Sequence, residues 1–470
     1  MSDYFKDMTA ILCGFSPKYQ RNQSMNKKSR LTQGKIGKTL FQLTIPMLLA
    51  TISMVIFNLA DTFFIGRLGT LPLAALAFTF PVVFVITSLA LGLGIGVSAL
   101  VSRAIGEGDH HKVQCLTTAS LILALILVFI LAAIGLITLE PIFRALGANE
   151  NVLPLIKDYM NIWYGGVLFV VVPMVGNNAI RATGDTKTPG LVMAASAIFN
   201  LLFDPLLIYG IGPFPELGIR GAAYATVAAR FITFIFAVYI LYHREKMIAF
   251  HDMCIKNLWK WWKRILYIGL PTAGSRMIIP VAVAIITRLI SKYGDHAVAG
   301  FGVASRIEFF ALVGVMSLAS VLGPFIGQNL GAQKMHRVQK SYMYSNYFSI
   351  VSGLLIALVL AVFSKDISAV FNANQSVVSI SSLYLMTVPI SYTLLGVSVL
   401  SMTTLNVLHK PLIATLLSII HMFVIYVPLA HFLSSHYDIQ GIFLALAIAN
   451  GLIGVGGYFI VKREIRLVRT

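Results

Sequence analysis

The sequence predicts an all-α polytopic membrane protein with twelve transmembrane helices in two six-helix lobes related by a pseudo-twofold axis. Three observations carry this. The 470 residues are 57% hydrophobic and only 11% charged, with a mean hydropathy of +0.83, whereas soluble chains are about a quarter charged. Apolar runs of roughly 20 residues or more, enough to cross a bilayer, recur twelve times. The chain also repeats itself, most clearly at a spacing of 225 residues.

The runs fall at 40–66, 71–101, 113–138, 152–180, 189–211, 219–242, 264–290, 296–326, 340–364, 377–406, 411–434 and 438–461. Helices are required because lipid leaves an open backbone unsatisfied. Alternating segments of about ten residues, the mark of a β-barrel, are absent. The apolar content also excludes disorder.

Orientation follows from basic residues, which accumulate on cytoplasmic segments. With the N-terminus inside, inner segments hold 26 Lys/Arg and outer ones seven. Both termini are therefore expected in the cytoplasm. The net charge of +18 is an insertion signal and not a nucleic-acid face, since its excess lies wholly on the inner side.

Residues 1–38 read as a basic cytosolic tail with no apolar core long enough for a signal peptide. Met25, opening MNKKSR, is an alternative start. Cys13, Cys115 and Cys254 show no metal spacing and read as small apolar fillers, with no disulfide framework implied.

The repeat superposes Pro46 on Pro271, Gly69 on Gly294, Gly106 on Gly331 and His111-Lys112-Val113 on His336-Arg337-Val338. Each half starts on the same side, so the axis lies near the membrane normal, a construction common in transporters. The N-lobe is expected at 39–242 and the C-lobe at 264–462, with a tail at 463–470. The linker 243–263 ends in Trp259-Lys260-Trp261-Trp262-Lys263, which suits a helix lying in the interface.

Buried acids break the repeat. Asp61 is matched by Ile286, and Asp204 by Tyr426 or Val427. A carboxylate in a span costs about 2.5–3.5 kcal/mol on insertion scales, so the N-lobe must offset it. Both acids fall in the outer half of the membrane. Asn200 and Asp204 share a helix face at i,i+4, and Thr226 on the next span adds a hydroxyl. Such oxygens suit Na⁺ by the hard-cation logic of Ca²⁺ sites, or a proton held between two carboxylates. The alternative is structural: Asp204 pairing with Arg230 and Asp61 capping a kinked helix. Pro46 removes a backbone hydrogen bond in the same helix as Asp61, as a hinge or a static kink. In the C-lobe, Glu308 and Arg276 reach similar depth and are expected as an ion pair, with a second protonation or substrate-cation site as the alternative.

The motifs NLADTFFIGRLG, SRAIGEGDHHK, RATGDTKTP, NLLFDP, GAAYAT, RIE and GQNLGA, in this order, resemble the multidrug and toxic compound extrusion (MATE) family of cation-coupled antiporters, over residues 35–462. Within it the chain resembles the branch of the DNA-damage-inducible F protein. The resemblance implies a V-shaped central cavity and alternating access. It also implies export of amphipathic, often cationic, compounds driven by inward H⁺ or Na⁺ across the bacterial inner membrane. It places the cation site at Asp61, Asn200 and Asp204, with Thr226, Tyr159 and Asn177 lining the same cavity; Thr226 is counted with the cation site, and Asn58 of the first span joins Tyr159 and Asn177 as a candidate for the substrate cavity. No cofactor, nucleic acid or further partner beyond lipid is implied, and a monomer is expected.

A lipid-linked oligosaccharide flippase of the same architecture is the alternative, favoured by Arg276, Arg288 and Arg306 and opposed by the N-lobe acids. A membrane-embedded enzyme would need a constellation such as H-E-x-x-H, which is absent. A channel would be told apart by single-channel conductance.

Overall fold

A computed structural model of the chain describes residues 30–250, 257–371 and 374–469. The Met1 and Met25 starts and the first 29 residues of the expected tail lie outside the described residues.

A 3₁₀ turn at Arg30–Thr32 leads into α1 (Ile36–Gly66), α2 (Thr70–Glu107) and α3 (His110–Ile137). A short helix α4 (Leu139–Ala145) precedes α5 (Leu153–Gly166), α6 (Leu168–Ala182), α7 (Lys187–Tyr209) and α8 (Ile219–Tyr239). The second half repeats the order with α9 (Leu258–Ile290), α10 (Asp295–Gly331), α11 (Met335–Val362), short α12 (Ser364–Phe371), α13 (Gln375–Thr387), α14 (Tyr392–Val407), α15 (Pro411–Ile419) and α16 (Val427–Arg469). Ten of the described helices are long and apolar enough to span a membrane, and the bent pair α5–α6 adds an eleventh. The last stretch, Pro411–Val468, contains non-helical backbone at Tyr437 and Asp438. That break divides it into two crossings and completes twelve.

Local chemistry sets the turns. Gly108 ends α2 in the left-handed region at φ 77°, and Asp109 then caps α3 by accepting from Lys112 N at 2.9 Å. Four expected spans are irregular, one of them the run 219–242, which ends in a π turn at Ile240–Arg244. The run 152–180 bends by 45° at Val167. The run 377–406 passes through a 3₁₀ turn at Pro389–Ser391. The eleventh contains a π turn at Ile420–Tyr426, where His421 Nε2 meets Asn450 Oδ1 at 2.9 Å. The Trp259–Lys263 stretch forms the first turns of α9 and not a separate interfacial helix. Trp262 Nε1 donates to Ala119 O at 2.9 Å. Cys115 is fully buried near the start of α3, and Cys13 and Cys254 lie outside the described residues.

The lobes meet chiefly through α2 against α9 and α10, and through α1 against α10. The close approaches lie toward the end carrying the basic loops. There a methyl group on Gly96 would stand 2.8 Å from Ile265 O, so only glycine admits the neighbouring backbone. The Arg30–Thr32 turn closes the same end. Leu31 is 2% exposed, its N–H donates to Gln328 Oε1 (3.1 Å), and its carbonyl accepts from Asn329 Nδ2 (3.1 Å). Gln328 Nε2 in turn donates to Ala182 O of the other lobe at 2.7 Å. Toward the opposite end the facing stripes of α1, α9 and α10 carry exposed side chains such as Asn58, Arg276 and Arg306, so the cleft opens there.

Candidate functional site: a buried oxygen cluster in the N-lobe

α1, α7 and α8 pack together on the far half of the N-lobe. Asp61 projects from α1 and is 9% exposed, Asp204 and Asn200 from α7 are fully buried, and Thr226 from α8 is 6% exposed. Asn200 Nδ2 donates to Asp204 Oδ1 at 3.0 Å, one turn apart on α7. Three oxygens of this group have no hydrogen-bond partner, Asp61 Oδ1, Asn200 Oδ1 and Asp204 Oδ2, and the Thr226 hydroxyl has Tyr159 as its polar neighbour. Buried polar atoms are nearly always bonded, so three such orphans on two packed helices are unusual. All three are acceptors, and a bound cation or a proton on a carboxylate would satisfy them.

The surroundings agree. Asp61 and Asp204 lie within electrostatic reach of each other, and the buried Tyr159 of α5 is within reach of both. Arg230 of α8 acts on Asp61, and its guanidinium lies 4.7 Å over the Phe57 ring. No described ion pair joins Arg230 to Asp204, whose polar neighbours are Asn200 and Asp61, so the expected structural alternative for that acid is not what the fold contains. Among the described residues no group of three or more His, Cys, Asp or Glu could hold a metal. Two carboxylates, an amide oxygen and a hydroxyl suit a proton or a monovalent hard cation, and the residues present fit either.

The other sequence candidates separate. Asn177 is buried in α6, and Tyr159 in α5 beside the acids. Asn58 is exposed on α1, two turns beyond Thr51, whose Oγ1 lies 3.5 Å from Ser317 Oγ of α10. Asn58 therefore faces the cleft. Pro46 lies inside the unbroken α1, and Thr186 Oγ1 donates to Leu43 O in the adjoining turn at 3.0 Å.

The C-lobe expectation is corrected. Glu308 does not pair with Arg276. Tyr384 donates to Glu308 Oε2, and Tyr392 is the acid's second polar neighbour. Glu308 points into its own lobe, whereas Arg276 continues the α9 stripe of Gly269 and Ala273, which pack on α2. Equal depth along two helices says nothing about which way each side chain turns.

Fold and cluster together define a two-lobed membrane transporter. The chain belongs to the MATE family: the MatE family model matches residues 46–206 and 271–432. The two matched segments begin at Pro46 and Pro271, the pair superposed by the 225-residue repeat. A protein of Shewanella oneidensis named as an FAD transporter is 38% identical over 93% of this chain and 97% of its own. The probable multidrug resistance protein YoeA of Bacillus subtilis is 27% identical over 88% and 91%. The crystal structure of the Vibrio cholerae MATE transporter VcmN in the bent form has a TM-score of 0.88 at 31% identity, covering 92% and 98%.

Proposed function

We propose that the chain is a cation-coupled exporter of amphipathic organic compounds. It works by alternating access in the bacterial inner membrane, as a monomer, with the basic end and both termini in the cytoplasm. The lobes are 39–242 and 264–462. The observation that carries this reading is the set of three unpartnered buried oxygens of Asp61, Asn200 and Asp204, with the Thr226 hydroxyl on the adjoining helix.

In the arrangement open away from the basic end, H⁺ or Na⁺ reaches the cluster and neutralises an acid. A ligand shifts a conformational equilibrium only by binding its states unequally, so the cluster must repack between them. α1 carries both Asp61 and the stripe facing α10, which links cation binding to the cleft. Pro46 gives that helix a place to bend, and Gly190 of α7 lets the Pro46 carbonyl approach closely. Each charge entering down 100 mV supplies about 2.3 kcal/mol.

The names of the relatives support a broad substrate range, from multidrug compounds to a flavin dinucleotide. The N-lobe oxygen cluster supports an exporter over a flippase. The test is uptake into everted vesicles of ethidium and of FAD under imposed pH or Na⁺ gradients. Gradient-driven accumulation that collapses with the gradient is expected. Movement of both compounds independent of either gradient contradicts the reading.

A further inference from the structure

The two walls of the cleft differ in charge. Arg276 on α9 and Arg306 on α10 are both exposed, and neither makes a hydrogen bond or ion pair with another described residue. An arginine in a membrane span is costly and faces a bundle interior or a wet cavity.

Helical register places both in the cleft. Arg276 follows Gly269 at i+7 and Ala273 at i+3, and those two residues pack on Gly92 of the opposite lobe. Seven residues return a helix to within about 20° of the same direction. The repeat agrees, because Arg276 superposes on Thr51, which faces the other lobe. Arg306 precedes Ser317 by eleven residues, again about 20° away, and Ser317 is the partner of Thr51. Glu308, two positions on, turns the opposite way toward Tyr384. Arg276 lies about 21 Å and Arg306 about 17 Å from the far ends of their helices at 1.5 Å per residue. The two cations thus stand at one level on a helical hairpin. Phe310, 46% exposed, lies one turn from Arg306 on the same stripe.

We propose that Arg276 and Arg306 form a phosphate-binding subsite in the substrate cleft, with Phe310 stacking on the attached aromatic group. Guanidinium groups pair bidentately with phosphate oxygens, and two on one level suit a diphosphate. The N-lobe acids do not oppose such a ligand, because they are buried inside their own lobe. The repeat puts Thr51 and Pro81 where the C-lobe has these arginines, so the subsite belongs to one wall. This inference rests on the export reading and narrows its substrate to aromatic phosphate esters such as the dinucleotide of the Shewanella oneidensis relative's name.

The test titrates purified full-length protein with FAD and with riboflavin, which has the same ring and no phosphate, by fluorescence. Arg276→Gln and Arg306→Gln are each expected to weaken FAD binding about 10-fold, the loss of one charge-assisted contact. The double variant is expected to lose about 100-fold, with riboflavin binding and melting temperature unchanged and Lys variants partly restored. FAD affinity unchanged in the double variant, or riboflavin affinity falling in parallel, overturns the subsite. So does competitive displacement of FAD by phosphatidylglycerol, which would assign the arginines to a lipid headgroup. FAD binding that behaves as expected without gradient-driven transport would overturn the export reading and leave the subsite standing.

Discussion

Gly106 of α2 packs on the backbone carbonyl of Gln328 in α10, and the contact is reciprocal, because Gly331 packs on the carbonyl of Arg103. The repeat exchanges the two contacts, since Arg103 superposes on Gln328 and Gly106 on Gly331. The lobes therefore close their basic end through a pair of equivalent glycine contacts.

A side chain at either glycine should wedge that end open. Overpacking costs about 1–3 kcal/mol, which corresponds to a population shift of about 5- to 150-fold. Gly106→Leu is expected to raise the maleimide labelling rate of a cysteine at Ser102 from the basic side, and to slow export. Labelling unchanged from the Gly106 parent would show that this contact does not seal the cleft.

Replacement of Glu308 and of Arg276 should have unequal effects on stability, because the two are not partners. Glu308→Leu leaves the Tyr384 hydroxyl buried without its acceptor, at a cost of about 1–3 kcal/mol. Arg276→Gln removes no described bond. Thermal melting in detergent should fall for the first variant and hold for the second. Equal losses, restored in the double variant, would mean that the two do form a pair.

Asp185 lies in the loop before α7 and has a pH signature of its own. Burial pushes its carboxyl up, but bonds from Thr188 and from the Arg244 guanidinium outweigh this and hold it below the ordinary value of 3.8. A depressed folded-state value means stability that is complete above the unfolded value and lost as pH falls through the folded one. Asp185→Asn should lower the melting temperature at pH 7 by about 1–2 °C. It should also flatten the further fall that the parent shows below about pH 4. A variant that melts in parallel with the parent at every pH would contradict the assignment.

The spans, their twofold repeat and the two N-lobe acids were legible because each is written along the chain. Hydropathy counts crossings, and Asp61 and Asp204 stand out where Ile286 and Tyr426 or Val427 occupy the other half. What depends on rotation about a helix axis was not legible. Glu308 turns into its lobe while Arg276 and Arg306 turn out of theirs, and depth alone does not distinguish these. The bend at Val167 was hidden because hydropathy does not register direction, although Gly165 and Gly166 precede it. The Leu31 turn was invisible because its burial depends on Gln328 and Asn329, nearly 300 residues away.

Asp61 and Asp204 are proposed to bind the driving cation. The most direct measurement is export by reconstituted protein under a pH gradient and, separately, a Na⁺ gradient, for the parent and for Asp61→Asn. At least one gradient should drive the parent, and the Asn variant should lose at least about 10-fold of that rate, which corresponds to about 1.4 kcal/mol. An Asn variant that transports like the parent under both gradients would contradict this assignment.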